Sequence, residues 1–139
     1  MIFQTNLMTN KTNDPSLDIV GIGNAIVDVI TTTDDYFLEK LTLNKGSMTL
    51  IDENKAKELY EMTTNRLQRS GGSVANSLAC VAQLGGKSAF IGRVRDDKLG
   101  EVFIKEMSTT GTIFKTPASS VGPSTARCLI FVTPDAQRT

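Results

Sequence analysis

The sequence predicts an α/β fold with a mainly parallel sheet and a small second sheet beside it. Short apolar runs rich in β-branched residues, such as 17–23 and 88–92, alternate along the chain with helical segments, a pattern typical of parallel sheets. Residues 125–133 instead alternate strictly between two faces, as in a strand with one open side. Such alternating stretches, near 26–51 and 112–133, are expected to form the second sheet.

Composition limits the function classes. The 139 residues suit one domain, and 15 basic residues balance 15 acidic ones, so nothing indicates binding to nucleic acid or to an anionic membrane. Residues 1–16 are polar, resemble no signal peptide and are expected to form a loose tail, which favours a cytoplasmic location. With no histidine, a zinc site is not expected. Cys80 and Cys128 are interpreted as reduced, buried packing residues.

The first strand, residues 17–23, is expected to be buried and to continue through residues 24–30. In an extended chain Asn24 and Asp28 point to the same side. An acid in such an apolar run is costly to bury without a partner. A polyhydroxyl ligand would satisfy Asp28, and so would a neighbouring backbone amide or a lysine; ligand contact is favoured.

The segment that follows carries local signals of helices and turns. An acidic start predicts one helix, and Asp52 is the expected N-cap of another. Arg66 and Arg69 are interpreted as loop charges. The predicted elements are a helix at 34–41, a turn at 44–46, a strand at 47–51 and a helix from Asp52 to about Thr63.

The stretch from Ser70 to Gly86 contains no charged residue, which indicates deep burial. Gly71 and Gly72 allow the backbone to approach a ligand, because no Cβ stands in the way. Ser73 is the expected N-cap of the next helix, and Asn76 falls in its first turn with its amide directed back toward the glycines. The alternative is a glycine turn before a core helix, with Asn76 bonded to local backbone.

The rest of the chain is read from its turn and cap signals. Asp96 and Asp97 precede a helix, and capping by Asp97 is favoured over a metal site. Residues 135–139 are expected to lack a hairpin partner. The predicted elements are a helix stop at Gly85–Gly86, strands at 88–92, 112–116 and 125–133, a helix at about 99–107 and a turn at 134–136.

Four sequence blocks together resemble the PfkB carbohydrate kinase family, which has the ribokinase-like fold. They are GIGNAIVDVI, SGGSVANSLACVAQLGG, IGRVRDDKLGE and PSTARCLIFVTPDAQRT, and the similarity runs from about Asp18 to Thr139. The insertion DDYFLEKLTLNKGSMTLIDENKAKELY looks most like the adenosine kinase branch. The resemblance implies a three-layer α/β/α core, within about 17–25 and 52–111, and a β-sheet lid with strands within about 26–51 and 112–139.

The resemblance also implies an ATP- and Mg²⁺-dependent phosphotransferase that acts on the primary hydroxymethyl group of a sugar or nucleoside. A mixture of carboxamides, an acid and close backbone suits a ribose diol. Arg138 stands near a position where relatives place an arginine close to the transferred phosphate. The positions that match the family's sugar-hydroxyl site are Asn24, Asp28, Gly71, Gly72 and Asn76.

One departure from the family pattern concerns catalysis. The second family signature, roughly D-T-x-G-A-G-D, is absent, so no catalytic residue, metal ligand or ATP cleft is assigned in this chain. The chain is therefore interpreted as the N-terminal, substrate-binding portion of a kinase, without the C-terminal half and inactive alone. The alternative is a non-catalytic ligand-binding module or a homodimer formed through the lid sheet.

Overall fold

The computed structural model describes residues 16–139, so most of the predicted N-terminal tail lies outside the described residues. No helix in this range is long and apolar enough to cross a bilayer. The elements are β1 (Ile19–Ile22), β2 (Ile26–Thr32), α1 (Asp35–Lys40), α2 (Glu53–Met62), β3 (Leu67–Gly71), α3 (Ser73–Gln83), β4 (Ser88–Ile91), α4 (Lys98–Thr109) and β5 (Ala126–Val132).

The predicted parallel sheet is present and short. β1 pairs in parallel with β4, and Ile113 adds one bridge on the far side of β4, with hydrogen bonds of 2.8 and 2.9 Å to Phe90 and Ser88. The strand predicted at 112–116 is therefore a single bridge, and it belongs to this sheet rather than to the second. β1 was expected to be buried, but Ile22 is 76% exposed, and no other described strand pairs with the outer edge of β1.

The second sheet has the order β3-β2-β5. β2 runs antiparallel to β3 and parallel to β5. Interpreting Arg69 as a loop charge is wrong, because it lies within β3. The strand predicted at 47–51 is also wrong: this segment has no regular structure, and Met48 and Leu50 are 87% and 92% exposed. No described strand lies alongside it to complete a ladder.

Helix starts follow the predicted caps in two of three cases. Asp52 and Asp97 each accept a hydrogen bond of 2.8 Å from the amide three residues later, and so does Asp34, for which the sequence predicts an acidic helix start but no cap. The prediction for Ser73 is wrong, because α3 already includes it and Gly72 occupies the cap position without a side-chain bond. The positive φ of Gly72 brings the chain from β3 directly into the helix, which leaves Ser73 at the first helical position.

The core lies against one face of the second sheet. Val27 and Val29 of β2 are fully buried and pack with Phe90 and Phe103. A smaller cluster joins the two short helices to β5, and its buried members are Leu38, Leu59 and Phe131. Helices therefore cover this face of the sheet, and on the opposite face Gly71 is the one buried position of the three strands, the others being half-buried or exposed.

The uncharged stretch 70–86 is less buried than its composition indicates. α3 buries only Ala75 and Leu78, whereas Leu84 is 84% exposed and Cys80 is exposed. Ala75 and Leu78 share the packed face of the helix, and Cys80 projects from the other side. The prediction of deep burial for this stretch is therefore wrong.

Both cysteines are free thiols, as expected, but neither is buried. Cys128 alternates with the packed residues Leu129 and Phe131 on β5 and so points to the open side. Its environment, not a disulfide, determines its chemistry. Interpreting Cys80 and Cys128 as buried packing residues is wrong.

The C-terminal residues form their own hairpin, contrary to the expectation that 135–139 has no partner. Thr133 and Ala136 close the predicted turn with a 2.8 Å bond. Phe131 and Thr139 then exchange two backbone bonds of 2.9 and 3.0 Å. Lys45 holds the turn from outside through Asp135 at 2.8 Å, so the chain end is anchored to the segment after α1.

Candidate functional site

The uncovered face of the second sheet is apolar except near its centre. Residues that face each other across paired strands point to the same side, so the register defines this face. We call it the open face, and it consists of Ile26, Asp28 and Ile30 of β2, Gly71, Arg69 and Leu67 of β3, and Ala126, Cys128 and Ile130 of β5.

Asp28 is the central acid of the open face. It is half-buried, and among the described residues it has neither a hydrogen bond nor an ion pair. Its cross-strand neighbour Arg69 is directed elsewhere and pairs with Glu106 at 3.2 Å. Burial raises the pKa of Asp28 above its ordinary value, and no compensating partner lowers it. The carboxylate is thus available to a ligand.

Gly71 lies directly beneath this carboxylate. A Cβ at Gly71 would stand 2.5 Å from the carboxyl carbon of Asp28, well inside van der Waals contact. Any larger residue would push the acid away. The first glycine of the pair therefore serves to make room for Asp28, a requirement that comes from the β2–β3 pairing.

Gly72 brings two loops together. Its φ of +94° is a conformation that side-chain-bearing residues rarely adopt, and a Cβ there would lie 3.0 Å from the carbonyl oxygen of Asn24. Asn76 follows one turn into α3, and its backbone N–H donates to the Gly72 carbonyl at 3.0 Å. The side chains of Asn24 and Asn76 are exposed and make no hydrogen bond with another described residue. The structure thus brings together five of the six predicted site residues.

Two cavities adjoin this cluster. The first, of about 440 Å³, lies at the carboxyl ends of β1 and β4, where ligands bind in open α/β sheets, and is lined by Asn24 and Arg93 among others. The second is a groove of about 520 Å³ between β5 and residues 46–51. Ala126 lines both cavities, so the start of β5 separates the two.

Arg138 is not part of the cluster. It is exposed, lines the groove and pairs with Val132 at the end of β5. Cys128, which pairs with Asp28, lies four residues before Val132 on β5. This spacing corresponds to about 13 Å at the usual strand rise. The structure therefore separates Arg138 from the other predicted residues.

Sequence reasoning did not single out Arg93. Arg93 lines the first cavity, and its guanidinium holds the loop after α4 by donating to the Ser119 hydroxyl at 2.9 Å and to the Val121 carbonyl. Arg93 is the first charged residue after β4, in the position where parallel strands deliver ligand-binding groups. That placement is the sequence signal that identifies it.

Residues 16–139 contain no group of three or more His, Cys, Asp or Glu side chains arranged to hold a metal ion. The paired Asp96 and Asp97 are not such a site, since both carboxylate oxygens of Asp97 accept hydrogen bonds from backbone amides, those of Gly100 and Thr125. These residues do not fit a Mg²⁺ site. We therefore assign no Mg²⁺ ligand among residues 16–139.

Comparison with known proteins identifies the family of this chain. The pfkB family carbohydrate kinase profile matches residues 18–139. The structure resembles an adenosine kinase from Sinorhizobium meliloti (44% identity, TM-score 0.75, 88% of this chain and 38% of that one). It also resembles a probable sugar kinase from Rhizobium etli CFN 42 (42% identity, TM-score 0.76, 88% and 37%).

Curated relatives give the same family at lower identity. Adenosine kinase 2 of Arabidopsis thaliana is 26% identical over 99 residues, which are 67% of this chain and 28% of that protein. Fructokinase-2 of Solanum lycopersicum is 33% identical over 72 residues, 52% of this chain and 22% of that protein. The chain thus spans less than a third of the length of these two relatives. It belongs to the pfkB family of carbohydrate kinases and has part of the ribokinase-like α/β fold.

Proposed function

We propose that this chain forms the acceptor-binding part of an ATP-dependent kinase that phosphorylates the primary hydroxymethyl group of a nucleoside. The observation that carries the proposal is the unpaired, half-buried carboxylate of Asp28 above Gly71. A buried acid without a partner costs free energy. A ligand that donates hydroxyl groups to Asp28 offsets that cost.

The polar groups of the cluster suit a ribose. An ionised carboxylate has two oxygens and accepts from two neighbouring hydroxyls, and such charge-assisted bonds are stronger than neutral ones. Asn24 and Asn76 add carboxamides, which both donate and accept. Gly72 has no Cβ, so a ligand can approach the backbone beside Asn24 closely.

The choice of a nucleoside over a free sugar rests on the apolar surroundings of Asp28. Ile26, Ala126 and Ile130 flank the acid on the open face, and an aromatic base has apolar faces that such residues can cover. A hexose offers hydroxyls on most of its surface. The likeness to adenosine kinases supports the same choice.

The family implies ATP and Mg²⁺, but residues 16–139 present no cluster to hold the metal. Our proposal for this chain is therefore limited to acceptor binding, and we expect no ATP turnover from the chain alone. We further propose a cytoplasmic protein whose partner is a small molecule, not nucleic acid or a membrane.

A second candidate is a non-catalytic module that dimerises through the lid sheet. The apolar composition of the open face favours it, with Leu67 at its margin 48% exposed. In that case adenosine would weaken self-association only if it bound to the same face. Sedimentation at several concentrations, with and without adenosine, distinguishes ligand binding from dimerisation.

The test is a melting panel on this chain with adenosine, ribose and fructose. We expect adenosine to raise the melting temperature most, since ligand at a hundredfold excess over its dissociation constant stabilises a fold by about 2.7 kcal/mol. Ribose should act more weakly, because it lacks the base. Stabilisation by fructose with no response to adenosine would contradict the nucleoside assignment.

A further inference from the structure

The start of β5 is held by carboxylates from two different helices. Ser124 donates its amide to Glu53 Oε1 at 3.0 Å, and the next residue, Thr125, donates its amide to Asp97 Oδ2 at 2.9 Å. Glu53 lies in the first turn of α2, and Asp97 is the N-cap of α4. We call these four residues the strand-entry clamp.

Asp97 performs two tasks at once. Its Oδ1 caps α4 by accepting from Gly100 at 2.8 Å, while its Oδ2 holds Thr125. Burial alone would raise the pKa of Asp97, but the hydrogen bonds from Thr125 and Gly100 outweigh it and lower the pKa below its ordinary value. The charged carboxylate is thus the form that the fold uses.

The clamp is further tied to the chain after β4. The buried hydroxyl of Thr125 accepts from the amide of Arg95 at 2.9 Å. Arg127 donates to the Ser124 hydroxyl at 2.9 Å. Hydrogen bonding from Ser124 lowers the pKa of Glu53, so both clamp acids remain ionised at neutral pH.

The residue immediately after the clamp is Ala126, which lines both cavities and pairs with Ile26 of β2. Two pairs further along, Cys128 faces Asp28. A displacement at Thr125 therefore moves the strand that flanks the candidate acceptor site. No other described carboxylate accepts from the backbone of β5 or of the two residues before it.

We propose that Asp97, assisted by Glu53, is a positioning residue that fixes β5 beside β2 and thereby shapes the acceptor site around Asp28. Asp97 does not touch the acceptor in this arrangement; it acts through Thr125 and Ala126. The binding half of this proposal rests on the proposed function. The anchoring half rests on the hydrogen bonds alone.

Asp97→Asn keeps the helix cap and removes the second acceptor. Asparagine caps helices about as well as aspartate, but it has one acceptor oxygen, so with that oxygen on the amide of Gly100 the amide of Thr125 loses its partner. Asp52→Asn is the matched control, because Asp52 caps α2 with a single bond, from Lys55. Glu53→Ala is a second variant that removes the acceptor of Ser124 and leaves both caps intact.

The experiment measures amide proton exchange of the full chain by NMR and adenosine affinity by calorimetry. For Asp97→Asn we expect exchange at Thr125 and Ala126 to become about tenfold faster or more, and adenosine affinity to fall by about tenfold, the scale of one lost charge-assisted bond. Glu53→Ala should accelerate exchange at Ser124 by a smaller factor. Asp52→Asn should change neither quantity.

Unchanged exchange at Thr125 and Ala126 in Asp97→Asn overturns the anchoring half. Faster exchange with unchanged adenosine affinity overturns the positioning role and leaves Asp97 a structural cap. If Asp97→Asn does not fold, unchanged Ser124 and Ala126 exchange in Glu53→Ala overturns the clamp instead. Absence of adenosine binding by the unsubstituted chain overturns the proposed function and the binding half with it, while the exchange rates still decide the anchoring half.

Discussion

Two half-buried aspartates of this chain differ in whether their carboxylates have hydrogen-bond partners. Asp97, in the strand-entry clamp, gives each of its oxygens a backbone amide. Asp28, on the open face, has no partner among residues 16–139 and lies over a glycine. The pKa of Asp97 is lowered, and that of Asp28 is raised by burial. Both carboxyl groups are half-buried, so hydrogen bonding decides whether the pKa is lowered or raised.

The difference separates a structural acid from a binding acid. A fully bonded carboxylate stabilises the fold and has no free oxygen to offer a ligand. An unpaired one costs stability unless something from outside binds it. Polar groups held in an unfavourable state by the fold around them are expected at functional sites. The open face is therefore the region where ligand binding is expected, and the clamp supports it.

The largest expected effect comes from filling the space beneath Asp28. Gly71→Ala places a Cβ where the carboxylate lies, and overpacking of this kind costs about 1–3 kcal/mol of unfolding free energy. Adenosine binding should be lost as the acid is displaced. Chemical denaturation and calorimetry measure the two effects.

The double variant Gly71→Ala/Asp28→Ala sharpens this test. Removing the carboxylate frees the space, so stability should largely recover while binding remains absent. If the changes in unfolding free energy of the two single variants simply add in the double variant, Gly71 and Asp28 do not interact. The proposed arrangement of the open face would then be wrong.

A smaller effect is expected from the second glycine. Gly72 and Gly85 have nearly the same φ, +94° and +90°, but only Gly72 has an atom close to its missing Cβ, the Asn24 carbonyl oxygen. Alanine at either site costs about 1–3 kcal/mol, because a residue with a side chain rarely adopts a φ this positive. Gly72→Ala should cost more than Gly85→Ala and should alone weaken adenosine binding. Equal melting temperatures and affinities for the two variants would contradict the close approach of Gly72 to Asn24.

The smallest effect is a contrast in pH dependence. The lowered pKa of Asp97 means that its stabilisation is present above the unfolded value of 3.8 and is lost as pH falls through the folded pKa. The raised pKa of Asp28 has the opposite consequence: the fold is favoured below pH 3.8, and that advantage is lost as pH rises through the folded pKa.

Asp97→Asn should therefore lower the melting temperature at pH 7, and Asp28→Asn should raise it. The Asp28→Asn difference should shrink as pH falls through the raised folded pKa toward 3.8, and the Asp97→Asn difference should shrink as pH falls from 3.8 through the lowered folded pKa. Melting curves between pH 3 and pH 7 test this directly. Shifts of the same sign at pH 7 would show that the two acids are in equivalent environments.

The sequence predicts the parts of this comparison that depend on local signals. The caps at Asp52 and Asp97 are predictable because a short polar side chain directly before a helical pattern can accept a hydrogen bond from the first helical turn. The β-α alternation and the family blocks predict the parallel sheet. Asp28 is predicted as a site residue because an acid in an apolar run is costly to bury without a partner.

The parts that depend on distant pairing are not readable in the same way. β3 has the sequence LQRSG, which has no apolar alternation, and it forms because β2 offers a partner. Residues 47–51 show the alternation of a strand, but no described partner lies beside them. Ser73 loses the cap position to Gly72 because the turn from β3 fixes where α3 begins. The second bond of Asp97 joins residues 28 positions apart, so its role in the clamp also comes from tertiary structure.

The central claim is that Asp28 binds the hydroxyl groups of the acceptor. Titration calorimetry of Asp28→Asn with adenosine, beside a melting curve of the free variant, tests it most directly. We predict an affinity lower by about tenfold or more, since a charge-assisted bond is replaced by a neutral one, together with a higher melting temperature at pH 7. Unchanged adenosine affinity in a folded Asp28→Asn variant would contradict the claim.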